Sequence, residues 1–265
     1  MKLLAILFAF ALYHFVEKPA AMKSFNWLLS LQNWIKQYIN DNQGRFAFTL
    51  LLPLFVLWFL LSQVFVFADD SVLQMLLHIL LVYYCLGPDT IEKMIKNKQT
   101  GEQLQLSPES TAEETVNKLT TAALHRWFGV FFWYIILNVY GALVYRMVCF
   151  LAYHHNEEQI QSVAGRMLRV IEFPVTVLMT LSLALASDFD RIWQHCKQYL
   201  HMGTIKTLNS QFMYKSMDFA VEQCEIEESD ENKDQIVALT TFKVLKRMLV
   251  VWLVFSALLV IFSIG

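Results

Sequence analysis

Residues 126–146, RWFGVFFWYIILNVYGALVYR, form a run of membrane-spanning length with an arginine at each end and no charge between. At ~1.5 Å rise per residue, a helix over this run sets its two cations roughly 30 Å apart, about one hydrocarbon thickness. Hydrocarbon offers the backbone no hydrogen bonds, so a segment of this kind must be helical. The rest of the chain points the same way. It is 56% hydrophobic with a mean hydropathy of +0.42, too apolar for an ordinary soluble domain. Eight glycines and five prolines in 265 residues are few, as long helices with few tight turns require.

Five further apolar runs accompany it. Run 3–16 is short for a span and follows a lysine, as a signal peptide would. It lacks a small-x-small cleavage site before Met22, so it reads as a retained first helix. Run 46–67 is uncharged, and its Pro53 is tolerable where neighbouring helices cover the freed carbonyl. Run 72–86 follows the acidic pair Asp69-Asp70 and stops at Gly87-Pro88. Runs 170–186 and 249–264 complete the set. The expected fold is therefore all-α, a polytopic membrane bundle of about six embedded helices, with four full spans plus interfacial helices as the alternative.

Basic residues set the orientation. Lys18, Lys23, Lys36 and Arg45, then Lys93, Lys96, Lys98 and Arg126, then Arg191, Lys197, Lys206, Lys215, Lys243, Lys246 and Arg247 fall in three alternate connections. Loops 17–45, 88–126 and 188–247 are accordingly assigned to the cytoplasm of a single membrane domain, 1–265, with both termini outside. This scheme puts Arg166 and Arg169, in the connection between the fourth and fifth runs, on the external side.

Two connecting segments carry helical stripes. Val116, Leu119, Ala123 and Trp127 recur at helical spacing over 115–126, behind a capping box read at Ser110…Glu113. Over 190–200, Ile192, Trp193, Cys196, Tyr199 and Leu200 face away from Arg191, Gln194, Lys197 and Gln198. The acidic stretch 225–234 has no period and reads as a solvated loop.

Several chemistries are excluded or weakened. No GxxxxGK[ST] and no strand-borne GxGxxG occurs, which removes a P-loop mechanism, and a net charge of −2 offers nothing to nucleic acid. Cys85, Cys149, Cys196 and Cys224 have no metal-ligand spacing. His154-His155 with Glu157-Glu158 resembles a ligand cluster, but adjacent helical residues point ~100° apart, and a polar cap to the fourth helix explains the group better. No metal and no cofactor is expected. His78, inside an apolar run, must face protein. Tyr134, Asn138, Gly141 and Tyr145 fall at i, i+4, i+7 and i+11, one face of a straight helix, which suits helix packing or a ligand-lining wall. The candidate ligand-binding set is Arg126, Trp127, Tyr134, Asn138, Gly141, Tyr145 and Arg146.

Four places then occur in a telling order: Tyr84-Cys-Leu-Gly-Pro-Asp89; Arg126-Trp-Phe-Gly-Val-Phe-Phe-Trp133 with Gly141-Ala-Leu-Val-Tyr-Arg146; Ile171-Glu-Phe-Pro-Val175 through Ser187-Asp-Phe189; and the basic-then-apolar last run. Together they resemble the AmpE family of inner-membrane proteins, within the wider CobD/CbiB-like membrane family. Departures exist. Asp89 follows Pro88 with no arginine between, Val175 and Thr176 stand where an arginine is usual, and His14 and Glu17 replace an acidic–arginine pair. These weigh more against the wider family's enzymatic chemistry than against membership.

The resemblance implies a multi-pass protein of the bacterial inner membrane. Its role would be a regulatory accessory of cell-wall recycling and β-lactamase induction, without catalysis of its own. Its partners would be the lipid bilayer and cell-wall-recycling or other inner-membrane proteins. The alternative it implies is a membrane amide ligase of the adenosylcobinamide-phosphate synthase type, or a diverged relative that binds a phosphorylated amphiphile. Arg126 would then meet phosphate from the cytoplasm, and Arg146 would lie opposite unless the fourth helix is re-entrant. No inverted repeat supports a transporter.

Overall fold

A computed structural model describes residues 2–15, 25–67, 71–87, 111–154, 157–199, 208–223 and 233–264. Every regular element among them is helical: α1 (Lys2–Phe15), α2 (Asn26–Ile35), α3 (Asn42–Phe67), α4 (Ser71–Cys85), α5 (Ala112–Ala123), a π-helical turn (Leu124–Phe128), α6 (Gly129–His154), α7 (Glu158–Ala186), α8 (Phe189–Tyr199), α9 (Gln211–Glu222) and α10 (Lys233–Ile264). The all-α expectation holds. Asn42–Gln63, Ala112–Tyr153 and Glu158–Ala186 are long and apolar enough to cross a membrane, and Leu4–Tyr13 and Val72–Cys85 are shorter apolar helices. The acidic pair Asp69-Asp70 and most of the acidic stretch 225–234 lie outside the described residues. The chain divides into two compact units, Met1–Pro88 with Gly129–Ile171, and Asp89–Phe128 with Glu172–Gly265.

In the first unit, α1 packs on α4 and α6, and α3 and α4 also pack on α6. Helix α1 turns Ala5, Ile6, Ala9 and Tyr13 inward and leaves Leu4, Leu7, Phe8, Leu12 and Phe15 exposed. Small inward residues allow close backbone approach, and the exposed stripe suits lipid. Helix α3 begins at Asp41, whose Oδ2 accepts the Gly44 N–H at 2.7 Å. Pro53 lies inside it without ending it. Leu51, Phe55, Trp58, Phe59 and Leu60 are all exposed along its length. Water would make such a surface a liability, and hydrocarbon would not. Helix α4 ends as the sequence requires, with Gly87 in the left-handed region at φ 91°.

In the second unit, α5 packs on α9 and α10, and α9 also packs on α8. The cap of α5 is Thr111, whose hydroxyl accepts the Glu114 N–H at 3.3 Å. The cap thus falls at Thr111, which has the extended backbone an N-cap needs, and Ser110 of the Ser110…Glu113 reading lies outside the described residues. Of the stripe expected over 190–200, Ile192 and Cys196 are buried, while Trp193 is half-buried under Lys197 and Tyr199 is exposed. The apolar run 249–264 is only the second half of α10, which starts at Lys233.

Run 170–186 likewise extends back, to Glu158, so Arg166 and Arg169 are exposed residues of a helix. The connection before that helix also differs from the expected orientation. Glu157 carries two cations of the 17–45 connection: Lys36 Nζ and Arg45 Nη2 each lie 2.7 Å from its carboxylate. Asn42 hydrogen-bonds Gln159 beside them. Residues 36–45 and 157–159 therefore share one polar end of the first unit, and the assignment of the fourth-to-fifth connection to the opposite side is overturned. Ion pairs at 2.7 Å leave no room for a bilayer between their partners.

Candidate functional site

The segment 126–146 does not form one rod. Leu137 (φ −114°, ψ 15°) and Asn138 (φ 58°, ψ −153°) leave helical geometry in the middle of α6. Residues 129 and 145, sixteen apart, would stand ~24 Å apart in a continuous helix. In the fold they touch: a Cβ at Gly129 would collide with the Tyr145 ring. A Cβ at Gly141 would collide with the Trp133 carbonyl oxygen and come within 2.7 Å of Leu137 Cβ. The chain reverses at Leu137–Asn138, and α6 is a helical hairpin. The legs meet closely at both glycines.

This corrects two expectations. Arg126 and Arg146 are not the two ends of a single transbilayer helix, since the path between them turns back. Tyr134, Asn138, Gly141 and Tyr145 do not share one continuous helical face, because the i, i+4, i+7, i+11 count presumes a straight axis. Tyr134 belongs to the first leg; Gly141 and Tyr145 belong to the second. Asn138 is the turn itself, a conformation that non-glycine residues adopt only under strain.

The first unit brings five of the seven candidates into this hairpin. Tyr134 is wholly buried, and its hydroxyl lies 3.2 Å from His78 Nδ1 on α4. The requirement that His78 face protein is met by that contact. Asn138 is half-buried, and its Oδ1 has no hydrogen-bond partner. Tyr145 is buried in the crevice over Gly129. Trp133 Nε1–H donates to the Ile171 carbonyl at 3.1 Å, which ties the first leg to α7. Arg146, further along the second leg, stands 5.7 Å from the centroid of the Phe25 ring. Phe25 also meets the rings of Tyr84 and Phe150, and Trp27 Nε1–H donates to the Tyr84 hydroxyl at 2.8 Å. The Phe25 ring, just before α2, thus joins the Arg146 cation to an aromatic cluster with Tyr84 of α4 and Phe150 of α6.

The other two candidates lie in the second unit, on the π-helical turn. Trp127 is buried, with its ring 6.1 Å from that of Phe242 on α10, a packing position. Arg126 is half-buried on the same turn. A π-turn adds a residue to the helical ladder and re-aims the side chains around it, and such turns concentrate at functional sites. Here the neighbouring His125 sets Nε2 2.6 Å from Glu172, both side chains nearly buried. Thr121 and Tyr214 join by their hydroxyls at 3.1 Å close by, and burial pushes the Tyr214 phenol up to about 12, so it stays protonated.

Neither His125 nor Glu172 is among the candidate residues read from the sequence. One signal was available: an acidic residue just inside an apolar run, Glu172, needs a partner. The His154–Glu158 group is in part what the polar-cap reading expects. His155 lies outside the described residues, and Glu157 is an ion-pair partner of Lys36 and Arg45. Hydrogen bonding from Lys36, with Arg45 adding to it against some burial, holds the Glu157 carboxyl below its ordinary value.

Among the described residues the molecule is all-α, with helices fit to cross a membrane and a helical hairpin in α6. No family model, no curated protein and no solved structure matches it.

Proposed function

We propose that this chain is an AmpE-type protein of the bacterial inner membrane, a non-catalytic accessory of cell-wall recycling and β-lactamase induction. The observation that carries the reading is the α6 hairpin, which falls in the stretch with the most specific family likeness, 126–133 with 141–146. A hairpin set in the bundle presents polar groups at membrane depth without needing a reaction, as a sensor of an envelope metabolite requires. The test is deletion in the native host followed by β-lactam challenge. Altered β-lactamase induction and altered muropeptide pools are expected; unchanged values of both would remove the reading.

A second reading gains from the same geometry. A phosphorylated amphiphile bound from the cytoplasm needs a cation on that side, and a straight fourth helix would deny it Arg146. The reversal of α6 weakens that objection, since Arg146 stands over the Phe25 ring, which meets Tyr84 near the end of α4. Thermal stabilisation of the detergent-purified protein by ATP or a corrinoid, lost in Arg146→Ala, would favour this ligase-like reading. No shift with either compound would end it.

A further inference from the structure

Helix α9 lies outside the candidate spans and buries Phe212, Met213, Ser216, Met217, Ala220 and Val221, with Asp218 among them. Asp218 is the one charged residue of this buried face. It is 9% exposed, and neither carboxylate oxygen has a hydrogen-bond donor. An ionised carboxylate in that position loses its water and gains no hydrogen bond in return, whereas the neutral acid is far cheaper to bury.

The charges on the surrounding elements do not change this. On α5, Glu113 adds negative charge, while Glu114 and Lys118 pair with each other at 2.9 Å. On α9 itself, Lys215 is the one favourable cation, and its Nζ is engaged by Glu113 at 2.6 Å; Glu222 is repulsive. On α8, Arg191 is taken up by Asp188 and Gln223, and the His195 ring stacks on Phe219. On α10, Lys243 and Arg247 are exposed, and Lys246 lies over the Phe242 ring.

We propose that Asp218 makes the seating of α9 against α5 and α8 a proton-linked latch: the protonated acid holds the helix down, and its ionisation loosens it. Burial, with Glu113 and Glu222 adding repulsion against Lys215, pushes the Asp218 carboxyl up to about 7. The sign follows from linkage. Once α9 is released, the acid returns to its ordinary value near 3.8. The seated form therefore holds the extra proton between about 4 and about 7. Seating weakens as pH rises through that window and is constant above it. His195 works in the opposite sense: burial lowers its value, so acid would charge it and loosen the helix.

Hydrogen exchange on the full chain in lipid nanodiscs, corrected for intrinsic rates, tests this between pH 5.5 and 7.5. The opening constant of the α9 amides should rise up to about tenfold per pH unit, then level off above 7. Asp218→Asn should give a flat, protected profile, and His195→Phe should keep the wild-type slope. Glu113→Gln frees Lys215 to approach Asp218 and should move the transition to lower pH. A flat wild-type profile, a wild-type slope in Asp218→Asn, or an unmoved transition in Glu113→Gln would each overturn the latch.

Discussion

Helix α3 and the α6 segment are both 26 residues long and almost wholly apolar, yet α3 is continuous and α6 is folded back. The residue most expected to interrupt a helix, Pro53, sits in the continuous one. Only one carbonyl, that of Thr49, loses its donor to the proline, and large side chains from Leu51 to Leu60 keep neighbours at a distance. In α6 the difference lies in Gly129 and Gly141, which let two legs approach to backbone contact, and in Asn138, which makes the turn. Reversal in an apolar segment is thus decided by where a second leg can dock. Loss of a single hydrogen bond does not decide it.

The largest test of this contrast is Gly129→Val. A branched side chain in the Tyr145 crevice should cost ~3 kcal/mol or more, read as a lowered melting temperature in detergent. In a straight helix the same change would be nearly neutral, and that result would break the hairpin. Gly141→Ala should follow at roughly 2 kcal/mol, because the Trp133 carbonyl is backbone and cannot swing aside. Its sign is the informative part: in a continuous helix, alanine for glycine stabilises by about 1 kcal/mol.

Asn138→Gly should act the other way and raise the melting temperature, by about 1 kcal/mol, since glycine adopts φ near 58° without strain. A loss of stability would mean that the asparagine side chain holds the turn. A smaller effect comes from Glu157. Its carboxyl is held low in the fold, so the pairs stabilise above the ordinary glutamate range and are lost as pH falls through the depressed value. With a third of the Glu157 side chain exposed, the contribution should stay under ~1 kcal/mol. Wild type and Glu157→Gln should therefore differ at pH 7 and converge near pH 3. Pro53→Ala should change least, within ~1 kcal/mol, and leave α3 helical by circular dichroism.

The helices of the first unit were legible in the sequence because apolar runs and punctuation coincide there. Run 46–67 sits inside α3, and the Gly87 stop ends α4 where expected. The shape of α6 was not legible. Apolar composition measures how much backbone hydrocarbon tolerates and is indifferent to whether that backbone runs straight or doubles back. Gly129, Asn138 and Gly141 were in view, but their meaning depends on sixteen-residue contacts that no local period encodes. The polar end was hidden for the same reason. Arg45 and Glu157 stand 112 positions apart, and each alone looks like an ordinary boundary charge. His78 was the exception, since a lone imidazole in an apolar run states its need for a protein partner by itself.

The α6 hairpin also alters the arithmetic of compartments. A hydropathy count scores residues 126–146 as one crossing and inverts the side of everything after it. A hairpin counts as zero. Reporter enzymes fused just before Gly129 and just after His154 should therefore share a compartment, where a sidedness map drawn from apolar runs alone would separate them.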